Sequence, residues 1–330
     1  MSTEAPESRT QSSYLVVLNA AEGLLQAVIA RREHQDQKYA MVCSQNWLAP
    51  SQGAELLAPV LADAFTRLHI KSRDIDRLAV VRGPGSFTGL RLAISTASGF
   101  GRATNALLAG LDYLPLLARS AACRLWPLAS GPTPKERRVW VLTHARRQLV
   151  HMQGFAIHEH GGAASCGGLQ SGTPDLRIES LTGIVVCSPE EAAMHIIAYE
   201  EEKKDADQTS LILGSGLSRN RAAIEHVLSE VFRQSGTAEP GMAGGCRAGG
   251  PINAPVPLSP DYDHPLPESL LAAAEMEEYA YEDIIPLYVR APDAEDNFEQ
   301  IAVSLGLDPL KARERLKALT GGAPSSPDRQ

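Results

Sequence analysis

The hydrophobic pattern changes period several times along the chain, and each change marks an element. Apolar runs at 14–18 and 24–30, parted by Gly23, and a mixed run at 39–48 read as three strands in an antiparallel meander. From 51 to 68 the period lengthens. Leu56, Leu57, Val60, Leu61, Ala64, Phe65 and Leu68 share one wide helical face, with Ser51 placed to cap it. The apolar run 78–81 is too short for anything but a strand, and 92–104, dense in small residues, reads as a helix. In that helix Ala93, Ala97 and Gly101 recur every four residues, as do Ser95 and Gly99. Such faces lack bulk and let another backbone come close. Packing within the chain and contact with a second subunit both fit.

The second half repeats the alternation. A helix is expected at 112–126, a loop at 130–136, and a hairpin of 138–143 with 149–157 around a turn that holds Arg146 and Arg147. Paired arginines in a turn are usually solvated, although a ligand role is also open. Residues 158–177 hold five glycines and read as an insertion. A strand at 183–187 leads into Ser188-Pro189-Glu190-Glu191, which supplies an N-cap, a proline at the first helical position and a glutamate at the third. A strand at 210–213, the turn Gly214-Ser215-Gly216 and a helix with Ile224, Val227, Leu228, Val231 and Phe232 on one face follow. Residues 234–267 hold six glycines and seven prolines, a composition that predicts a mobile loop. A helix at 268–281 and two short helices within 297–319 complete the pattern. The basic residues of that tail, Lys311, Arg313, Arg315 and Lys317, are interleaved with acids, which argues against a DNA-reading face.

The expected organisation is therefore a disordered start (1–13), an α/β half (14–112), a second α/β half (113–296) with insertions near 158–177 and 234–267, and a helical or disordered extension (297–330). Composition narrows function more than fold. The 31 basic against 39 acidic residues leave a formal charge of -8, so no global basic field holds nucleic acid by phosphate neutralisation. No apolar run approaches a membrane span, and the first 13 residues lack the apolar core of a signal peptide, so a cytoplasmic, membrane-free protein is expected. Five scattered cysteines, never spaced C-x-x-C, predict reduced thiols. Nine histidines include no H-x-x-x-H pair, so no metal centre is expected.

The stretch with the most chemistry is Arg82-Gly83-Pro84-Gly85-Ser86-Phe87-Thr88-Gly89-Leu90-Arg91, between the 78–81 strand and the small-residue helix. Gly83, Gly85 and Gly89 permit positive φ or close approach, and Ser86 and Thr88 can cap the helix. Amides turned outward there would suit a phosphate, while a tight turn packing helix on sheet needs no ligand. Sharper readings fail on spacing. No Lys-Ser/Thr follows Gly89 as a P-loop requires, Pro84 and Thr88 hold the glycine places of a hydrolase elbow, and the dinucleotide fingerprint does not fit.

The order of three strands, helix, strand, helix and then a second α/β half resembles the actin-like architecture, two lobes each with a mixed sheet and flanking helices. Within it, Gly83 to Arg91 resembles the signature of the TsaB family, the dimerisation subunit of the bacterial machinery that makes threonylcarbamoyladenosine beside the tRNA anticodon. Ala145-Arg146-Arg147 is similar to the family's Asp-Ala-Arg-Arg turn, and Pro286-Leu287-Tyr288-Val289-Arg290 to its closing Pro-x-Tyr-Leu-Arg. The resemblance implies a subunit with no catalytic residues of its own. It would bind a TsaD-type catalytic subunit, help recruit a TsaE-type ATPase and meet tRNA only through the complex; a homodimer of the lone chain is left open. It also implies an interface on the first two helices, at Leu57, Leu61, Phe65, Leu90, Ala93, Ile94, Ala97 and Gly101, and it favours the subunit reading of the small-residue faces. The loop of Gly83, Gly85, Ser86, Thr88, Gly89 and Arg91 would be a relic phosphate loop, kept as a hinge for the second helix. Where the family has Asp-Thr-Ser or Asp-Thr-Ala this chain has Asn19-Ala20-Ala21, so no cofactor is required, and adenine nucleotide between the lobes is left open. The competing expectations are an actin-like ATP-dependent phosphotransferase, which needs an acid near that first loop to hold magnesium, and a metal-dependent glycoprotease, which needs ligands the sequence does not offer.

Overall fold

The computed structural model describes residues 13–34, 37–48, 53–125, 136–159, 176–203, 210–234, 254–289, 308 and 310–311. The chain divides into a compact unit Met1–Leu287 and a second unit Tyr288–Gln330. Everything below concerns the first. The helices expected within 297–319 lie outside the described residues save at 308, 310 and 311.

The first sheet contains β1 (Ser13–Asn19), β2 (Leu24–Arg32), β3 (Ala40–Leu48), β4 (Ile75–Gly83) and β5 (Leu107–Asp112), in the order β3-β2-β1-β4-β5. The meander is antiparallel as expected, and β4 and β5 add in parallel to β1. Helix α1 (Gly53–Arg67) connects β3 to β4, and α2 (Phe87–Thr104) connects β4 to β5. The second sheet contains β6 (Glu136–Arg146), β7 (Leu149–Glu159), β8 (Leu176–Ser180), β9 (Val185–Cys187), β10 (Leu211–Leu213) and β11 (Val256–Pro257). Its order β8-β7-β6-β10-β11, two antiparallel pairings and then two parallel ones, repeats the first sheet strand for strand, with β9 as an extra partner of β7. Helices α4 (Pro189–Lys203) and α5 (Ser215–Gln234) take the places of α1 and α2.

Strand alternation sorts the core into three clusters. In β1, Val16 and Leu18 face out with α1 and α2, while Leu15 and Val17 face in; in β6, Trp140 and Leu142 face out with α4 and α5, while Val139 and Val141 face in. The inner faces of both sheets share one core with α3 (Tyr113–Leu125) and α6 (Pro267–Met276), so these two helices form a middle layer. The two are crossed. Helix α3, which follows the first sheet, packs on β6, β7 and β8 besides β4 and β5, and α6, which follows the second, packs on β1, β2, β3 and β5. The segment after α6 also returns to the first sheet. The Ala280 and Leu108 backbones exchange two hydrogen bonds, and the Leu287 amide donates to the Arg82 carbonyl at 2.8 Å.

Local chemistry explains most of the boundaries. The Ser188 cap forms as a reciprocal box, with the Glu191 amide donating to Ser188 Oγ at 3.1 Å and the Ser188 amide to Glu191 Oε2 at 2.8 Å. The outer core of the second lobe holds a buried polar knot. Glu200, 4 % exposed, accepts from Arg138 Nη1 at 2.8 Å, from Trp140 Nε1 at 3.0 Å and from Ser210 Oγ.

Five elements differ from expectation. Strands β5 and β8 are additions, because Leu107–Asp112 is a short run broken by Gly110 and Leu176–Ser180 follows a glycine-rich stretch. Helix α2 starts at Phe87 rather than 92, so the motif itself forms its first turn, and α6 ends at Met276 because Ala280 pairs with β5. Of the loop expected to be mobile, 235–253 lies outside the described residues, but Val256–Pro257 pairs with β10 as an edge strand, where proline is tolerated. Among the described residues no helix is long and apolar enough to cross a membrane.

Candidate functional site

The motif turn joins β4 to α2 and lies against the end of β1. Gly83 has φ 126° and a Cβ there would meet the Leu287 carbonyl oxygen at 2.8 Å. At Gly85 and Gly89 an added Cβ would strike the backbone carbonyls of Ala21 and Ala20. Glycine is thus required by close packing. Three amides of the motif are engaged within the chain. Ser86 N donates to the Ala21 carbonyl at 2.6 Å, Gly89 N to Ser86 Oγ at 3.3 Å, and Leu90 N to the Ser86 carbonyl at 2.9 Å. Ser86 is the N-cap as expected, whereas Thr88 is not a cap but an exposed residue in the first turn.

Burial sorts the expected interface residues. Leu57, Leu61, Leu90, Ala93, Ile94, Ala97 and Gly101 are buried in this chain, and Phe65 is half-buried with its ring centroid 5.9 Å from that of Phe100. The recurrence of Ala93, Ala97 and Gly101 therefore serves packing within the lobe: a Cβ on Gly101 would meet Leu108 Cδ2 at 3.0 Å. Seven of the eight named residues thus pack within this chain. The faces left to solvent are the complementary ones. On α2 they carry Phe87, Thr88, Arg91, Ser95, Gly99 and Arg102, with the Arg91 guanidinium 3.8 Å above the Phe87 ring; on α1 they carry Glu55, Ala58, Pro59, Ala62, Asp63 and Thr66. Phe87 is 46 % exposed, and nothing approaches within 4 Å of the position a Cβ on Gly99 would take.

Arg146 and Arg147 are exposed at the β6–β7 turn. Tyr288 belongs to the second unit, and Arg290 lies outside the described residues.

The cleft where the ends of the two sheets face each other is built by residues that periodicity does not single out. Asn19, buried at the end of β1, turns inward: its Oδ1 accepts from the Ala21 amide at 3.0 Å and its Nδ2 donates to Gln26 Oε1 at 2.7 Å. Gln26 Nε2 in turn donates to the Pro265 carbonyl at 3.0 Å. An amide serves here because it both donates and accepts. Three residues later Glu22, half-buried, reaches across the cleft. Its Oε1 accepts from Ser215 Oγ at the start of α5, and Tyr113 Oη lies 3.2 Å from its Oε2 and 3.3 Å from the Asp263 carbonyl. Ser215 Oγ accepts from the His144 amide at 3.0 Å, and Ser218 Oγ donates to Asp263 Oδ1 at 2.9 Å. Burial pushes the Glu22 carboxyl up to about 7, against the two hydroxyl bonds that pull it down. Burial likewise raises Asp263, and it lowers His144, helped by the nearby Arg219 charge. The sequence signals available for this cluster were the Gly214-Ser215-Gly216 turn and an acid, Glu22, next to the glycine between two strands.

The second glycine turn repeats the packing of the first. Gly214 has φ 106°, and a Cβ on Gly214 or Gly216 would strike the Leu142 carbonyl group in β6. Among the described residues no three His, Cys, Asp or Glu side chains are grouped to hold a metal ion.

Comparison with known proteins identifies relatives. Residues 48–156 match the family described as TsaD, tRNA N6-adenosine threonylcarbamoyltransferase. The chain is 34% identical over 114 residues to the tRNA threonylcarbamoyladenosine biosynthesis protein TsaB of Escherichia coli strain K12, across 34% of this chain and 46% of that protein. It is 24% identical over 135 residues to the tRNA N6-adenosine threonylcarbamoyltransferase of Bifidobacterium adolescentis, across 41% of this chain and 37% of that protein. The chain thus spans less than half the length of these curated relatives. Among solved structures, YeaZ from Pseudomonas aeruginosa superposes with TM-score 0.54 at 20% identity, covering 84% of this chain and all of that one. A second structure, described as an uncharacterized protein with similarity to peptidase YEAZ from Pseudomonas aeruginosa, gives TM-score 0.53 at 21% identity, also across 84% of this chain and all of that one. The fold is the actin-like two-lobe α/β architecture.

Proposed function

From membership of the TsaB family, which the curated relative, the YeaZ neighbours and the matching family model support, we propose that this chain is an accessory subunit in tRNA threonylcarbamoyladenosine biosynthesis. Its work is to bind a TsaD-type catalytic subunit and to help recruit a TsaE-type ATPase, with tRNA met through the complex. One observation carries the reading. The motif turn engages the Ser86, Gly89 and Leu90 amides internally and presents, on the helix it starts, an outward row of Phe87, Arg91, Ser95, Gly99 and Arg102 beside the outward row of α1.

That pair of rows suits a protein partner. Phe87 and Arg91 are residue types that anchor interfaces, and Gly99 lets a facing backbone approach. The buried set from Leu57 to Gly101 acts as the support that fixes the two helices side by side. A nucleotide-dependent phosphotransferase is the weaker reading, because Asn19 replaces the acid that would hold magnesium and is engaged with Ala21 and Gln26.

Co-purification with the cognate TsaD-type subunit tests the proposal. A stable complex is expected, lost in Phe87→Ala/Arg91→Glu while that variant keeps the melting temperature of the parent chain. No association, together with unchanged threonylcarbamoyladenosine in tRNA of a strain depleted of this chain, overturns it. Calorimetry with magnesium-ATP separates the alternative: micromolar binding with turnover by the chain alone favours a phosphotransferase.

A further inference from the structure

We propose that the first lobe carries a pocket for a small phosphomonoester at the end of its sheet opposite the motif turn, with the Arg77 guanidinium as the group that takes the phosphate. A cavity of about 310 Å³ opens there, lined by Arg32, Asp76, Arg77, Asn105, Leu107 and Tyr281. Arg77 is six residues back along β4 from Gly83, about 20 Å of extended strand. The cavity is thus separate from the motif turn and from the cleft.

Strand pairing explains how consecutive residues reach one cavity. In a regular strand Asp76 and Arg77 would point to opposite faces. Here the register of β1 on β4 shifts between Tyr14 and Leu15, whose partners are Ile75 and Arg77, so Asp76 is the extra residue of a bulge. The bulge re-aims it, and the Tyr39 hydroxyl, from the inner core, donates to the Asp76 carboxyl at 3.4 Å. Leu107 sits opposite Arg77 on β5, and Asn105, left-handed with φ 62°, is the C-cap of α2.

The two arginines are held differently. Arg32, its side chain 10 % exposed, lies 4.6 Å from the centroid of the Tyr39 ring, donates from Nη2 to Asp76 Oδ2 at 3.3 Å and from Nε to Ser13 Oγ at 3.3 Å. It balances the one acid of the cavity. Arg77 is half-buried over the Tyr279 ring, 4.9 Å from its centroid, yet among the described residues no hydrogen-bond acceptor or carboxylate meets its five N–H groups. Donors withdrawn from water without acceptors are costly, and the ring restrains the guanidinium while leaving its edge to a ligand.

Charge and shape choose that ligand. Arg32 and Arg77 against Asp76 leave one net positive charge, and the dipole of α2, which ends at Asn105, offsets about half of it. The remaining field favours an anion. The donors are a guanidinium fork, the Asn105 amide and the Tyr281 hydroxyl, brought by β4, α2 and the segment after α6. Donors from separate elements match the three oxygens of a tetrahedral phosphate better than the two coplanar ones of a carboxylate. The volume is at the low end for small-molecule sites, which limits the body of the ligand to a few carbons.

Calorimetry on the full chain tests the pocket, with glycerol 3-phosphate as the probe and glycerate and glycerol as counterparts that lack the phosphate. Glycerol 3-phosphate should bind one to one with a Kd on the order of 1 mM, glycerate about 10-fold more weakly, and glycerol not at all. Arg77→Met keeps an unbranched stem against Tyr279 but removes the fork. Asn105→Asp keeps a residue type that tolerates positive φ and adds a repelling charge. Each should weaken binding by about 10-fold at the parent's melting temperature, and the exposed Asn105 keeps the test open if Arg77→Met fails to fold. Arg177→Met, in the second lobe, should bind as the parent does. The proposal is overturned by a parent chain that does not bind glycerol 3-phosphate, by glycerate binding as tightly, by folded Arg77→Met or Asn105→Asp variants that bind unchanged, or by loss of binding in Arg177→Met.

Discussion

The two lobes share a strand order and a way of making room, yet they use the space differently. Each places a glycine with positive φ where the strand parallel to its first strand ends, Gly83 at 126° as the last residue of β4 and Gly214 at 106° directly after β10, and each lays the following turn on main-chain carbonyls, those of Ala20 and Ala21 just past β1 and that of Leu142 in β6. After Gly83 the helix begins with its cap made inside the lobe, and its outer row faces solvent. After Gly214 the helix begins with Ser215, which is held by Glu22 from the other lobe. A glycine turn at this place in the fold is therefore a requirement of packing. What the helix behind it offers, a surface or a cleft wall, depends on side chains one or two positions away.

The comparison is broken most severely at the glycines themselves. Gly83→Ala and Gly214→Ala each combine a strained φ with a Cβ placed against a carbonyl, and each should cost about 4 kcal/mol, measured by urea unfolding. Equal losses support the equivalence of the turns; a tolerated Gly214→Ala would end it. A smaller loss, confined to the second lobe, follows from Arg138→Leu. It strips the buried Glu200 of its ion pair but leaves the Trp140 and Ser210 donors, for about 3 kcal/mol, and Arg138→Leu/Glu200→Leu should recover most of it.

The third prediction concerns pH. Glu22 is raised in the folded chain, so the folded state binds more protons than the unfolded one between about 4.5 and 7. Its contribution is complete below the unfolded value and is lost as pH rises through the folded value, at most about 2.5 kcal/mol between pH 5 and 8. The difference between the parent chain and Glu22→Gln across that range isolates it from His144, whose sign is opposite. The smallest effect is expected at the first turn. Ser86→Ala removes a single 3.3 Å cap bond and should lower stability by about 1 kcal/mol, without altering the cleft.

Much of this fold was legible because the determinants are local. The meander, the Ser188 box and the amphipathic faces of α1 and α5 follow from periodicity and capping within a few residues. Strands β5 and β8 were not legible, since a five- or six-residue run with a glycine inside or before it carries no periodic signal and gains its identity from a neighbouring strand. The motif was legible as a turn, while its inward amides depend on Ala20 and Ala21, some sixty residues earlier in the chain. Likewise the recurrence of Ala93, Ala97 and Gly101 correctly marked a close approach but could not say which side of α2 faces the sheet. The cleft was the least legible part. Glu22, Tyr113, Ser215 and Asp263 meet through pairings 91, 193 and 150 residues apart, and none lies in a motif whose chemistry demands it.

The crossing of α3 and α6 has a consequence for the chain while it is being made. The inner face of the first sheet, with Leu15, Val17, Val28 and Ala30, is complete once β5 has emerged, but the helix that packs on β1, β2 and β3 is α6 at Pro267–Met276. At ordinary elongation speeds the ribosome needs on the order of 10 s to reach it, so through that interval a nascent chain carries a sheet whose apolar inner face lacks its α6 cover over β1, β2 and β3. Cutting the gene after the first lobe would make that interval permanent.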